Sequence, residues 1–264
     1  MKKRITSAVV LLAITLGCLL LSEISRVLFF AAAGLICSYE LSRNLETLEI
    51  YCCAWVMYTH LILQAVLTLF HASAVICLAA LGLAVYLAMF SGILHKKVSG
   101  PGAFYTVSGV AYPGFLFVLM MRISVTGLWL ETMAIAAAAT WLCDAAALFG
   151  GMRFGKHKLA PLVSPNKTVE GCVCGALSSL VGGALLCLLF PRFPVWVVIL
   201  TAFLASSMGQ IGDLAESLVK RMIGVKDFSD LIPGHGGMFD RADSLLFSVP
   251  TTYLCLYLAS SLIG

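Results

Sequence analysis

Apolar residues fill long blocks of this chain, and the breaks between blocks are short and rich in glycine or polar residues. Blocks at about 5–22, 27–42, 51–70, 72–94, 103–121, 125–149, 171–190, 195–215 and 242–263 come close to the ~20 residues that carry an α-helix across a bilayer. None shows the apolar–polar alternation of a membrane strand, and closed barrels are the only other structure able to satisfy its backbone in lipid. The pattern predicts an all-α, polytopic integral membrane protein of about nine transmembrane helices. Two breaks exceed a turn, 150–170 and 216–241, and both are too polar to lie in lipid. They divide the chain into N-terminal transmembrane helices, 1–124, and a C-terminal transmembrane region, 125–264, that carries both loops. No internal repeat is evident, which argues against an inverted-repeat transporter.

Composition agrees with this pattern. Hydrophobic residues make up 61% of the chain and charged residues 11%, where a soluble domain carries about 25% charge. The placement of Lys and Arg fixes an expected orientation. With the N-terminus inside, 14 of the 17 fall on one side and only Arg26, Arg122 and Arg192 on the other. The expectation is a cytoplasmic N-terminus, an external C-terminus, and both long loops in the cytoplasm. Met1-Lys2-Lys3-Arg4 before an apolar run resembles a signal peptide, but no small-residue cleavage site follows, so a retained first helix is expected. The net charge of +4 is modest, and no nucleic-acid partner is expected. Ten cysteines lie mostly within apolar runs without zinc-site spacing, the pattern of small apolar residues packed between helices.

Candidate chemistry concentrates at Asp213–Asp243. Asp213, Glu216 and Lys220 are spaced i, i+3, i+7 and share one helical face; Asp240 and Asp243 share another at the start of the last span. Carboxylates brought together there suit Mg²⁺, which is held by one or two of them plus substrate phosphates, and a second metal ion can complete a clamp on an in-line displacement at phosphorus. Ordinary interhelical ion pairs are the bland alternative. Gly234-His235-Gly236-Gly237 offers backbone N–H groups to phosphate oxygens, and His235 either carries a proton or is a turn residue. Ser164-Pro165-Asn166-Lys167-Thr168-Val169-Glu170-Gly171 reads as a helix start with a lysine just before it, which makes an anion site or an ordinary basic loop. Asp144 lies near the inner end of its span, where an ionisable residue is a functional candidate. His60 and Gln64 share a face of the third span and suit helix–helix hydrogen bonding. Glu40 and Glu131, near span ends, carry no assignment.

Ser217-Leu218-Val219-Lys220-Arg221, then Lys226-Asp227, then His235-Gly236-Gly237-Met238-Phe239-Asp240-Arg241-Ala242-Asp243 resembles the signature of the phosphatidate cytidylyltransferases, or CDP-diacylglycerol synthases. Ser164–Gly171 resembles a second block of that family. The resemblance implies that CTP and phosphatidate give CDP-diacylglycerol and pyrophosphate with Mg²⁺, at the cytoplasmic face of the inner membrane, among membrane lipids; a homodimer is an allowed assembly. It implies metal ligation by Asp213 and Asp240, with Glu216 and Asp144 as further candidates. Lys220, Arg221, Lys226 and Arg241 would meet phosphates, with Asp227, His235 and Asp243 in the same catalytic set. Ser164, Lys167, Thr168, Glu170, Gly236 and Gly237 would bind substrate. Two positions depart from the family: Ala242 replaces a larger apolar residue, and Asp144 is followed by Ala145 where the family has Thr. A lipid-alcohol kinase using CTP or ATP and a cation-coupled transporter are the competing classes.

Overall fold

The structure is a computed structural model and describes residues 2–94, 97–98, 100–232 and 236–263. Among these residues the chain is helical throughout apart from one small hairpin and the connecting turns. Seven helices are long and apolar enough to cross a membrane: Glu23–Glu46, Ala74–Leu94, Gly100–Ser124, Trp129–Phe154, Val169–Leu186, Val195–Ile223 and Phe239–Leu262. Two further expected spans coincide with shorter apolar stretches, Leu12–Leu21 and Ala54–Leu69. The latter has 16 residues and reaches only about 24 Å. The chain forms two compact units, 1–125 with 223–241 and 126–222 with 242–264.

The first unit holds α1 (Lys2–Leu21), α2 (Glu23–Glu46), α3 (Ala54–Leu69), α4 (Ala74–Leu94), α5 (Gly100–Gly109), a π-helical turn (Val110–Phe115) and α6 (Leu116–Ser124). Its organiser is α2, which packs against α1, α3 and α6. Ser22 and Ser25 start it with a reciprocal capping box, Ser25 N–H donating to Ser22 Oγ at 3.0 Å and Ser22 N–H to Ser25 Oγ at 2.9 Å. Val27, Cys37 and Leu45 along it are fully buried. The expected span at 103–121 lies within Gly100–Ser124 and is kinked: Tyr112 leaves helical geometry at φ −140°, ψ 112°. Pro113 is the reason, since it offers no N–H to the preceding turn.

The second unit holds α7 (Trp129–Phe154), β1 (Lys158–Ala160), β2 (Ser164–Thr168), α8 (Val169–Leu186), α9 (Val195–Ile223) and α10 (Phe239–Ile263), whose first three residues group with the first unit. The antiparallel pair β1–β2 lies within the expected loop 150–170 and is a small departure from the all-α expectation. Pro161 and Pro165 deny that segment a helix, and the backbone pairs across the turn instead. Ile135, Val198, Ala202 and Leu256 form a fully buried core with Leu128 and Phe193 at its edge. Gln64 Nε2 in the first unit donates to Cys77 O at 2.8 Å, the interhelical role expected of it. All ten cysteines are free.

Small residues let α7 and α8 approach closely, as between membrane helices generally. A Cβ at Gly175 would lie 2.7 Å from Cys143 Sγ and 2.9 Å from Cys143 O. Gly175→Val is therefore expected to destabilise the second unit by about 1–3 kcal/mol through overpacking. The measurement is the thermal midpoint of the detergent-solubilised protein, and an unchanged midpoint would refute so tight a contact.

Candidate active site

Two helices reach a few residues further than their expected spans and carry the charged residues on their ends. Helix α9 runs on to Ile223, beyond the span expected to end near 215, and keeps Asp213, Glu216 and Lys220 helical as their i, i+3, i+7 spacing predicts, with Arg221 beside them. The extension carries its own support: Lys220 Nζ lies 2.5 Å from Glu216 Oε2 in an i,i+4 pair, with Glu216 fully buried. Lys220 and Arg221 also occupy the last turn, where cations complement the helix dipole. Gly224, at φ +82°, follows the helix end. Helix α10 starts at Phe239, which places Asp240 in its first turn.

In the second unit, Thr168 caps α8 by accepting Gly171 N–H at 3.1 Å, so Lys167 is presented directly before a helix N-terminus, as the sequence predicts. Lys167 forms an ion pair with Asp213 of α9, 46 residues away. Ser217 Oγ approaches the other oxygen of Asp213 at 3.5 Å. Helices α9 and α10 come close at Gly212, where a Cβ would lie 2.6 Å from Asp243 O. Asp243 is thereby brought within electrostatic reach of Asp213, Asp144 and Lys220. Asp144 itself is exposed on α7, some turns before the helix ends at Phe154. The geometry thus gathers Asp144, Lys167, Asp213, Lys220 and Asp243 in one charged locus and attaches Glu216 to it through Lys220.

Other predicted residues of this unit have structural partners. Glu170 accepts Lys156 N–H at 3.0 Å and contacts His157 Nδ1 at 2.6 Å, tying the approach to the hairpin onto α8. Arg221 Nε donates to Val163 O at 3.1 Å, holding the hairpin turn. Ser164 opens β2 and is half-buried.

In the first unit the signature continues along the loop between α9 and α10. Lys226, Asp227 and Arg241 are exposed. His235 lies outside the described residues. Asp240 Oδ2 accepts Phe228 N–H at 3.0 Å and Gly237 N–H at 2.8 Å. The N–H of Gly237, expected to face phosphate, is therefore already donated to a carboxylate. Gly236 sits at φ +81°, a conformation that favours glycine. Phe228 and Phe239 stack with ring centroids 4.6 Å apart, and Tyr112 abuts Phe239 at 5.3 Å. Glu40, which carries no assignment from sequence, is buried against this same loop. Its partners, two backbone N–H groups and the Ser229 hydroxyl, lie almost two hundred residues away, and no local pattern announces such a contact.

Among the described residues no three His, Cys, Asp or Glu side chains converge to enclose a metal ion. The second unit's locus offers carboxylate oxygens beside ammonium groups, a donor set suited to a hard cation whose coordination is completed by phosphate oxygens and water.

Comparison with known proteins places these observations. Residues 2–259 match the family described as the cytidylyltransferase family. A phosphatidate cytidylyltransferase of Brucella suis is 34% identical over 258 residues, covering 96% of this chain and 92% of that protein. Another of the same name, from Staphylococcus saprophyticus, is 37% identical over 169 residues, covering 63% of this chain and 64% of that protein.

Proposed function

From the premise that this chain belongs to the cytidylyltransferase family, we propose that it transfers the cytidylyl group of CTP to phosphatidate, yielding CDP-diacylglycerol and pyrophosphate for phospholipid synthesis. The observation that carries this reading is the charged locus of the second unit, with Lys167 paired to Asp213 and Lys220 to Glu216, in a chain similar over nearly its whole length to a phosphatidate cytidylyltransferase.

The chemistry asks little covalent work of the protein. A phosphate oxygen of phosphatidate forms a bond to the α-phosphorus of CTP. The bond from that phosphorus to the α,β-bridging oxygen breaks, and pyrophosphate leaves with the electron pair. Catalysis of this kind rests on positioning and on neutralising the charge that gathers on phosphoryl oxygens. Lys167 and Lys220 are held for that task by Asp213 and Glu216, which restrict their rotamers before substrate arrives. Lys226, Arg221 and Arg241 are the further cations of the signature. Mg²⁺ would be held by Asp213 with one neighbouring carboxylate, Asp243 or Asp144, and by substrate phosphates, where it would supply a Lewis acid toward the triphosphate. Glu216 is better read as the anchor of Lys220.

The Lys and Arg distribution supports a cytoplasmic N-terminus, nine spans and a nucleotide-facing site on the cytoplasmic side of the inner membrane. Phosphatidate would then arrive laterally from the bilayer and CTP from the cytoplasm.

The test uses purified protein in detergent with phosphatidate, Mg²⁺ and CTP labelled separately at the α and γ phosphates. The expected result is α label in the lipid and γ label in pyrophosphate. Label from the γ position in a lipid would make the protein a kinase instead.

A further inference from the structure

We infer that Glu40 is a positioning residue for the transfer reaction, a role that rests on the proposed activity and adds to it a part of the fold outside the signature. Glu40 lies on α2, is 3% exposed, and is met by three donors. Ser229 Oγ donates to its Oε1 at 2.5 Å, Met238 N–H to Oε1 at 3.0 Å, and Phe239 N–H to Oε2 at 3.0 Å. The last two belong to the N-terminus of α10, where the first N–H groups lack intrahelical partners and the helix dipole favours an anion. A carboxylate is acceptor-only with two oxygens, so one side chain caps α10 and holds Ser229 on the opposite limb of the loop.

The surrounding geometry is built for this carboxylate. A Cβ at Gly237 would lie 2.5 Å from Glu40 Oε1 and 2.8 Å from its Oε2. A side chain at the second glycine of the signature would have to displace the Glu40 carboxylate from its three donors. Asn44, one turn along α2, donates from Nδ2 to Glu40 O at 2.7 Å and to Phe228 O at 2.8 Å. Asp240 reaches the loop from inside, through Phe228 and Gly237. Ile232 N–H donates to Gly236 O at 2.9 Å and joins the two limbs further out. Segments 228–232 and 236–240 are therefore clamped at their base by a residue of the second helix. The same clamp sets where Asp240 and Arg241 emerge at the start of α10. Displacing such groups by even 1 Å is enough to cost about 10²-fold in rate.

The test compares Glu40→Gln, Glu40→Ala and Ser229→Ala with the unaltered protein, reading kcat and KM for both substrates together with amide hydrogen exchange. Glu40→Gln preserves volume but turns an NH₂ group toward an N–H donor. It is expected to lower kcat about 10- to 100-fold with both KM values within about threefold, and to raise exchange at Met238 and Phe239 while the amides of α7 and α8 stay protected. Ser229→Ala removes one donor only and should show a smaller loss in the same direction. Equal kcat in Glu40→Gln and the unaltered protein would overturn the inference. So would a loss of activity accompanied by faster exchange throughout the chain, which is the mark of a purely structural residue. Glu40→Ala, if it folds, should resemble or exceed Glu40→Gln. Failure of the unaltered protein to transfer cytidylyl groups would strike the proposed activity, and faster exchange confined to the 228–240 segments would then uphold the clamp while refuting its role in this reaction.

Discussion

Asp213→Asn should lower turnover by about 10³-fold while shifting the thermal midpoint by no more than a few degrees. The side chain is 28% exposed and its partner Lys167 30% exposed, so the ion pair between them is worth at most about 1 kcal/mol to stability. Removing the charge also relieves repulsion with Asp243, which offsets part of even that small loss. Turnover is another matter. In the proposed reaction Asp213 does two things: it restrains Lys167, and it supplies an oxygen toward a cation on the triphosphate. Asn keeps the shape and one acceptor but loses the charge on which both tasks depend, and electrostatic groups aimed at a developing phosphoryl charge are worth about 10²–10³ each. Lys167→Met should be similarly damaging. The double variant should be little worse than either single one, because paired residues act as a unit. The check is kcat in the α-label assay beside a melting curve. Retention of more than a tenth of the turnover by Asp213→Asn would remove Asp213 from the centre of the mechanism.

What the sequence made legible follows the reach of each interaction. The helices were readable because each needs only a local run of apolar residues, and α2, α4, α7 and α9 all fall on predicted blocks. Their ends were less so: the spacing of Asp213, Glu216 and Lys220 announced a helical face, but the apolar block stops near 215 while an i,i+4 pair and the helix dipole carry α9 on to Ile223. The capping role of Thr168 and the presentation of Lys167 were likewise local and came through. The partner of Lys167 was not readable, since Asp213 is 46 residues away. Glu40 was invisible for a stronger reason. Its partners include backbone N–H groups, which every residue but proline possesses, so nothing in the composition of 228–239 points to it. Gly237 shows the same limit from the other side. Its lack of a side chain suggested close approach to a ligand, and the close approach found is to Glu40.

Asp240 separates two kinds of work that one carboxylate can do, and a pair of substitutions should resolve them. Asp240 is 7% exposed, and its Oδ2 accepts the N–H groups of Phe228 and Gly237. Ala would leave both donors buried without this partner, at about 1–3 kcal/mol each, a large fraction of the 5–15 kcal/mol that stabilises an ordinary domain. Asp240→Ala is therefore expected to lose amide protection at Phe228 and Gly237 and to lose activity with it. Asn presents an oxygen of the same reach, and that atom can accept both N–H groups, so Asp240→Asn should keep the protection of both amides. If the carboxylate of Asp240 serves only the loop, turnover should survive in Asp240→Asn. If Asp240 also faces the cation or the phosphates, as the signature implies, Asp240→Asn should fall by about 10²-fold with its loop intact. The second outcome is the one expected, because two backbone donors would be satisfied by any amide or hydroxyl acceptor of that length, and a signature flanked by Arg241 and Asp243 is charged where a neutral cap would suffice. Near-normal turnover in Asp240→Asn, with protected amides, would assign Asp240 to the loop alone and leave the metal-binding role to Asp213 and its neighbouring carboxylates.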